Sequence, residues 1–371
     1  MALWTRVACR FRRWVPAVLI PLATAACIGT SAQYPQSTLH PQSDFTRLLD
    51  GVLMHTVWAA FVVFVLVEGA LLWIIIRYRG KPDDPEPRQV HGNTVLEIIW
   101  TAIPALLLAI ISVPTVKVIF QTYEVPNDAV NIEVIGHQWW WEFRYPDYGV
   151  RTANEMHVPV GKMVLLKMKT ADVLHSFWSP EFAGKRDLFP QRTNTLWFTA
   201  DTTGYFPGQC AEFCGTQHGR MAFEIKSTSP EEFEAYINGL KATGVKPAAD
   251  TATPPPVPAS GELTRVSTLA AAASQVDPAE QAAVDSGARI FRMCSSCHSL
   301  DATVTGNFIG PNLANIGSRR YLAARTILNT EANLASWIYD PQAIKHGVIM
   351  QRLGLTHEQA TMVAKYLRTH R

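Results

Sequence analysis

The sequence predicts a multidomain chain: a two-helix transmembrane hairpin, an all-β Greek-key barrel and a small all-α domain. Three observations point there. Two apolar runs, residues 52–76 and 95–116, are each long enough to cross a bilayer, which takes about 20 residues. Residues 130–145 and 156–170 are rich in valine, isoleucine and aromatics and are separated by Pro146, Asp147 and Gly149, a strand-and-turn pattern. Helical patterning returns over residues 281–293 and 358–368. With 371 residues, 48% hydrophobic and 17% charged, the chain is too long for one ordinary domain and rather apolar for a wholly soluble one. Its net charge of +2 gives no ground for a nucleic-acid partner.

The N-terminus carries Arg6, Arg10, Arg12 and Arg13, then an apolar stretch over residues 14–26 ending in small residues. Residues 1–27 therefore read as a signal peptide. Cys27 is a candidate lipoprotein cysteine, although Thr24 stands where such sites usually carry leucine; Cys9 falls inside the leader and has no expected role.

Residues 45–118 form the anchor. Its first run holds His55 near one end and Glu68 inside, and its second holds Pro104 and Pro114, which membrane helices tolerate. The loop between the runs carries Arg77, Arg79, Lys81 and Arg88, against Arg47 and Lys117 on the outer flanks. The positive-inside rule puts that loop in the cytoplasm and everything after the second run outside. A bacterial inner-membrane protein with two spans and periplasmic domains is the expectation.

Residues 119–240 form the β domain. Residues 241–280, rich in alanine and proline and including Pro254-Pro255-Pro256, read as a linker, and residues 281–371 as the helical domain. Residues 121–240 hold 15 acidic and 10 basic side chains, whereas 281–371 hold 5 and 10. Modules of −5 and +5 are suited to electrostatic steering. A 40-residue flexible linker spans roughly 35 Å, so weak, salt-sensitive docking with release between encounters is expected.

Four of the six cysteines fall in two close pairs. Cys210 and Cys214 are followed at short spacing by His218 and Met221, with Glu212 between the thiols and His175 upstream. The pair alone would suit zinc or a disulfide. Two thiols, two imidazoles and a thioether together are a copper-type set, since soft sulfur favours copper. One blue-copper ion needs only one thiolate, whereas two cysteines bracketing a turn can bridge two ions.

The second pair lies in Cys294-Ser295-Ser296-Cys297-His298, a C-x-x-C-H run in which both thiols form thioethers to haem vinyl groups and the histidine is an axial ligand. Gly310-Pro311 follows as in small class I cytochromes c, where the proline carbonyl fixes the tautomer of the axial histidine, here His298. Met350 is the expected sixth ligand. Met362 reads as core, and Met293 adjoins the attachment motif too closely to reach the other haem face.

Three motifs carry a resemblance over residues 45–240: Gly136-His137-Gln138-Trp139-Trp140-Trp141, Asp172-Val173-Leu174-His175-Ser176-Phe177-Trp178 and Gly208-Gln209-Cys210-Ala211-Glu212-Phe213-Cys214-Gly215. The chain resembles subunit II of cytochrome c oxidases, in the caa-type form with a fused cytochrome c domain. The resemblance implies a cupredoxin-like barrel with a dinuclear CuA centre held by His175, Cys210, Cys214, His218 and Met221, and by the Glu212 backbone carbonyl. It also implies that Trp139 is where electrons reach the copper. Further implications are that the Glu212 carboxylate helps bind magnesium or manganese at the border with the catalytic subunit, with Asp187 as a supporting acid, and that Glu97 serves proton uptake. Three consecutive indoles on one strand cannot all face one core, so at least one should lie at an interface.

The implied partners are the haem-copper catalytic subunit I, other oxidase subunits, and an external cytochrome c or quinol-oxidising complex as donor. Electrons would run from donor to haem c to copper to the catalytic subunit, which reduces oxygen to water with proton pumping. The histidines here do not build that oxygen site. One rival is the copper-bearing subunit of a nitric oxide reductase, disfavoured by residues 137–141, Glu97 and Glu212. A periplasmic copper-delivery protein would not require the haem motif.

Overall fold

The computed structural model describes residues 36–80, 85–86, 89, 91–244 and 277–371. The leader with Cys27, the loop basics Lys81 and Arg88, and most of the expected linker lie outside them.

Helices α1 (Asp44–Arg77) and α2 (Thr94–Tyr123) contain the two predicted spans. Both are apolar all round, with Trp58, Phe61, Phe64, Leu106 and Phe120 exposed, a pattern that needs lipid or partner helices. The chain is membrane-anchored through them. Ser43 and Thr46 form a capping box at the start of α1. That start is built into the next module: Ser43 Oγ donates to the Phe182 carbonyl at 2.7 Å, and the Thr199 N–H donates to Asp44 Oδ1 at 2.7 Å. Phe45 packs edge-on to Trp197 and against Gly184, where a Cβ would come within 2.5 Å of the Phe45 ring. At the end of α2, the Arg186 guanidinium lies 4.6 Å from the Tyr123 ring centroid.

Ten strands follow: β1 (Val130–His137), β2 (Trp140–Tyr145), β3 (Val150–Ala153), β4 (Glu155–Pro159), β5 (Met163–Thr170), β6 (His175–Ser179), β7 (Ala183–Leu188), β8 (Asn194–Thr199), β9 (Gly204–Cys210) and β10 (Ala222–Thr228). They form two five-stranded sheets, ordered β3-β2-β1-β5-β8 and β4-β10-β9-β6-β7. Parallel pairs β1–β5 and β4–β10 sit beside antiparallel neighbours, as in a cupredoxin-like sandwich. Trp141, Phe143, Phe177 and Phe223 are fully buried between the sheets, with Phe177 stacked on Phe223 at 4.2 Å. Gly208 is required under that stack, because a Cβ there would lie 2.1 Å from the Phe223 ring. Helix α3 (Pro230–Ala242), which the sequence reading did not anticipate, covers one end with Phe233, Ile237 and Leu240.

One expectation is corrected. The three indoles do not share a strand: β1 ends at His137 and β2 begins at Trp140, so Trp139 sits in the two-residue hairpin turn. The turn separates their fates. Trp141 is in the core, Trp140 is 9% exposed against Ala324, and Trp139 is half-buried.

The C-terminal module consists of α4 (Pro278–Phe291), the short strands β11 (Tyr321–Leu322) and β12 (Ile327–Leu328), α5 (Glu331–Tyr339), the single turn α6 (Pro341–Ile344) and α7 (His357–Arg368). Phe291, Leu334, Ile338, Val363 and Leu367 make its core. Helices α4 and α7 cross at Gly287, where an added Cβ would meet the Met362 carbonyl oxygen at 2.0 Å. Backbone cannot swing aside as a side chain can. Gly287→Ala is therefore expected to destabilise this module by about 1–3 kcal/mol in denaturant unfolding, although alanine gains about 1 kcal/mol of helix propensity. Parental stability would show that the crossing is not close-packed.

Candidate metal and haem sites

The copper-type residues converge from three elements. His175 opens β6, Cys210 closes β9, and Cys214, His218 and Met221 lie on the loop that leads to β10. The two sulfurs are 3.8 Å apart, far beyond the roughly 2.05 Å of a disulfide. His175 Nδ1 is 3.7 Å from Cys210 Sγ, and His218 Nδ1 is 3.7 Å from Cys214 Sγ. Met221 Sδ lies 3.8 Å from Cys214 Sγ, and the Glu212 carbonyl 3.2 Å from Cys210 Sγ. One imidazole and one further donor thus accompany each sulfur, an arrangement that fits metal between the sulfurs. The Cys214 thiol beside it holds Cys210 down to about 3, and the same contact raises Cys214. One thiolate is therefore favoured in advance, and metal binding would displace the second proton.

A residue outside the predicted set orients this cluster. Asp172 Oδ1 is 2.8 Å from His175 Nε2, leaving Nδ1 towards Cys210. Asp172 also accepts from the Gln138 N–H at 2.7 Å. Its position three residues before a ligand histidine was the available signal. Gly136 is pressed beneath the same ring, since a Cβ there would fall 2.8 Å from His175 Cδ2.

In the C-terminal module, Cys294, Cys297, His298 and Met350 line one apolar crevice. Its inner reach is walled by Phe291, Leu313, Trp337 and Val363. The His298 Nδ1–H donates to the Pro311 carbonyl at 2.8 Å, which leaves Nε2 free as an axial donor. Gly310 packs on that ring, where a Cβ would lie 2.5 Å away. Free thiols at the attachment spacing, a tautomer-fixed imidazole and a thioether in the same crevice fit a covalent haem. Met293 also borders the mouth but is 48% exposed, and Met362 lies on α7, outside the crevice lining.

The crevice mouth is shared. Gln138, Trp139 and Trp140 of the barrel line it together with Cys294, His298 and Met350. Trp139 Nε1 donates to the Cys214 carbonyl at 3.0 Å, and Gln138 Nε2 to the same oxygen at 2.7 Å. The opposite module charges also meet: Arg320 donates to Glu224 Oε1 at 3.0 Å, with Arg325 3.7 Å from the same oxygen. The Glu224 side chain is only 4% exposed, so salt screens these pairs less than surface pairs. Arg151 adds a bond to the Gly306 carbonyl at 2.7 Å, held in place by Glu142. The two modules thus meet through an interface with buried polar contacts.

Glu97 is exposed in the first turn of α2, at the loop end of the hairpin where Arg77 and Arg79 also lie. Asp187 on β7 pairs with Ser176 of β6, and the Ala211 N–H donates to the Ser176 carbonyl from the other side. Asp187 and Glu212 are both exposed, flanking β6.

Residues 35–118 match the family described as Cytochrome C oxidase subunit II, transmembrane domain, and residues 149–228 its periplasmic domain; residues 284–371 match Cytochrome c. Cytochrome c oxidase subunit 2 of Alkalihalophilus pseudofirmus is 33% identical, covering 100% of this chain and 98% of its own length. The Bacillus subtilis protein of the same description is 30% identical over 89% of this chain and 88% of its own. The solved periplasmic domain of subunit II of cytochrome oxidase from Bradyrhizobium japonicum is 36% identical, covering 31% of this chain and 95% of that one, with a TM-score of 0.30.

Asp172→Ala is expected to weaken copper affinity about 10–100-fold in competition with a chelator, because the His175 ring loses its orienting partner. Unchanged affinity would mean that packing alone holds the ring.

Proposed function

Since the chain belongs to the cytochrome c oxidase subunit II family, with a C-terminal cytochrome c domain as in caa-type oxidases, we propose the following path. Electrons pass from an external donor to covalent haem c, then to a dinuclear CuA centre, and on to the catalytic subunit that reduces oxygen with proton pumping. The observation that carries this reading is the shared crevice: haem-attachment residues face Trp139, whose indole is bonded to the carbonyl of the copper-type residue Cys214.

When bound, haem c and copper supply one-electron redox chemistry. The protein's residues fix their geometry. Cys294 and Cys297 would tether the haem, and His298 and Met350, which line the same crevice, would supply its iron ligands. Cys210, Cys214, His175, His218, Met221 and the Glu212 carbonyl would hold the coppers, and Asp172 holds one imidazole. Trp139 meets the copper loop through its indole N–H on the Cys214 carbonyl, and the haem module through its own carbonyl, which accepts from Lys345. Five side chains and one carbonyl drawn from a stiff barrel leave little to rearrange when an electron arrives, which suits transfer rather than substrate chemistry.

The basic residues Arg77 and Arg79 orient the helix hairpin with its loop in the cytoplasm, so the barrel and haem module lie on the periplasmic face. Glu97 then stands at the cytoplasmic mouth, where it collects protons for the catalytic subunit. Glu212 and Asp187 present oxygen donors on an exposed edge suited to magnesium or manganese completed by that subunit. Phe213 is 76% exposed, and Val173 and Leu174 are also exposed, an apolar collar around the copper loop that subunit I would cover. The external donor, a cytochrome c or a quinol-oxidising complex, approaches the haem module, because that module already occupies the face of Trp139.

Two measurements test this reading. The oxidised protein should hold a copper pair sharing one unpaired electron by electron paramagnetic resonance; an isolated Cu(II) signal with a single copper per chain would sink the dinuclear assignment. Glu97→Ala should slow oxygen consumption by the complex, with reduced cytochrome c as donor, while copper reduction by haem c stays at the parental rate. Normal turnover across pH would remove Glu97 from proton uptake.

A further inference from the structure

From the last residue of α6 towards Met350 runs a segment of the haem module pinned to the copper module at three successive residues. Arg220 Nη1 donates to the Ile344 carbonyl at 2.6 Å, Lys345 Nζ to the Trp139 carbonyl at 2.9 Å, and Gln217 Nε2 to the His346 carbonyl. Gln217 and Arg220 flank His218, so the clamp grips the copper loop itself. Within the haem module the segment is braced: Gln342 Nε2 donates to the Val348 and Met350 carbonyls, each at 2.8 Å, and the Gly347 N–H donates to Gln342 Oε1 at 2.8 Å. Residues 342–350 therefore form one bonded loop, carrying Met350 at one end and the clamp at the other.

Lys345 is the unusual member. It is 2% exposed and, among the described residues, has no carboxylate partner; its acceptors there are the Trp139 and Ala323 carbonyls, at 2.9 and 3.2 Å. An amine buried there without a role would cost desolvation for nothing. Burial, aided by Arg220, pushes its pKa down to about 7. A neutral amine has two N–H groups, matching the two carbonyls.

We propose that residues 344–346 are a latch that holds the haem crevice against Trp139, and that Lys345 is the positioning residue that fixes the Trp139 backbone while the Trp139 indole holds Cys214. This rests on the functional reading above and adds what sets its geometry. The latch joins N–H donors to backbone carbonyls, so salt does not undo it as it would a surface ion pair.

The test is flash reduction of haem c in the assembled oxidase complex, following haem-to-copper transfer. Lys345→Met should slow that step about tenfold through the lost buried hydrogen bonds, while haem and copper spectra and the donor-to-haem rate stay parental. Lys345→Gln, which keeps an N–H donor without a charge, should recover most of the rate. A parental rate in Lys345→Met, or a Gln variant as slow as the Met variant, overturns the latch. Should Lys345→Met not assemble, Arg220→Met at an exposed position is read instead: about threefold slower transfer is expected, and a parental rate overturns the proposal. Absence of haem-to-copper transfer in the parent protein would strike the functional reading itself, and the latch with it.

Discussion

The geometry between the two redox regions depends on one carbonyl oxygen. Cys214 O accepts from both Gln138 Nε2 and Trp139 Nε1, so the hairpin turn between β1 and β2 is sewn to the copper loop by both of its side chains. The Gln138 N–H is committed as well, to Asp172, which holds His175. Two turn residues therefore touch the supports of ligands on both β6 and the β9–β10 loop. A shift of that turn would move the wall of the haem crevice and the thiol loop together. Gly215 permits the closeness: it has a φ of +112°, and a Cβ on it would lie 3.1 Å from the Trp139 ring.

Much of this was legible in the sequence because the chemistry demands rare residues at fixed spacing. Cysteines, histidines and a methionine at short intervals announce soft-metal and haem ligation, and the bilayer imposes an apolar length that composition alone reveals. The structure brings His175 to Cys210 across 35 residues, and Met350 to the crevice of His298. What composition did not reveal are features made by chain reversal. Trp139 reads as part of a strand because it sits in a run rich in valine, isoleucine and aromatics, and only the pairing of His137 with Trp140 exposes the turn. Asp172 and Lys345 are common residue types whose meaning lies in what the fold puts beside them. Helix α3 was hidden by a short, charged sequence whose apolar face, Phe233, Ile237 and Leu240, has three members.

Charge behaves likewise. Summed over modules it indicates attraction, yet the net values say nothing about where the pairs sit. The contacts fall on Glu224 and Glu155, both buried, and on main-chain carbonyls reached by Arg151, Arg220 and Lys345. Such bonds are short-ranged and directional, so they select one orientation among the many that net charge would accept.

The capped start of α1 carries a consequence of another kind. Its start is bonded into the barrel at Phe182 and Thr199 and packed on Trp197, and α2 leaves the same region beneath Arg186. A helix whose first residues belong to the barrel core has no swivel at the joint. The tilt of the hairpin in the bilayer and the attitude of the copper loop above it are then a single mechanical variable, so a change in lipid thickness acts on the angle at which the copper loop meets its neighbour.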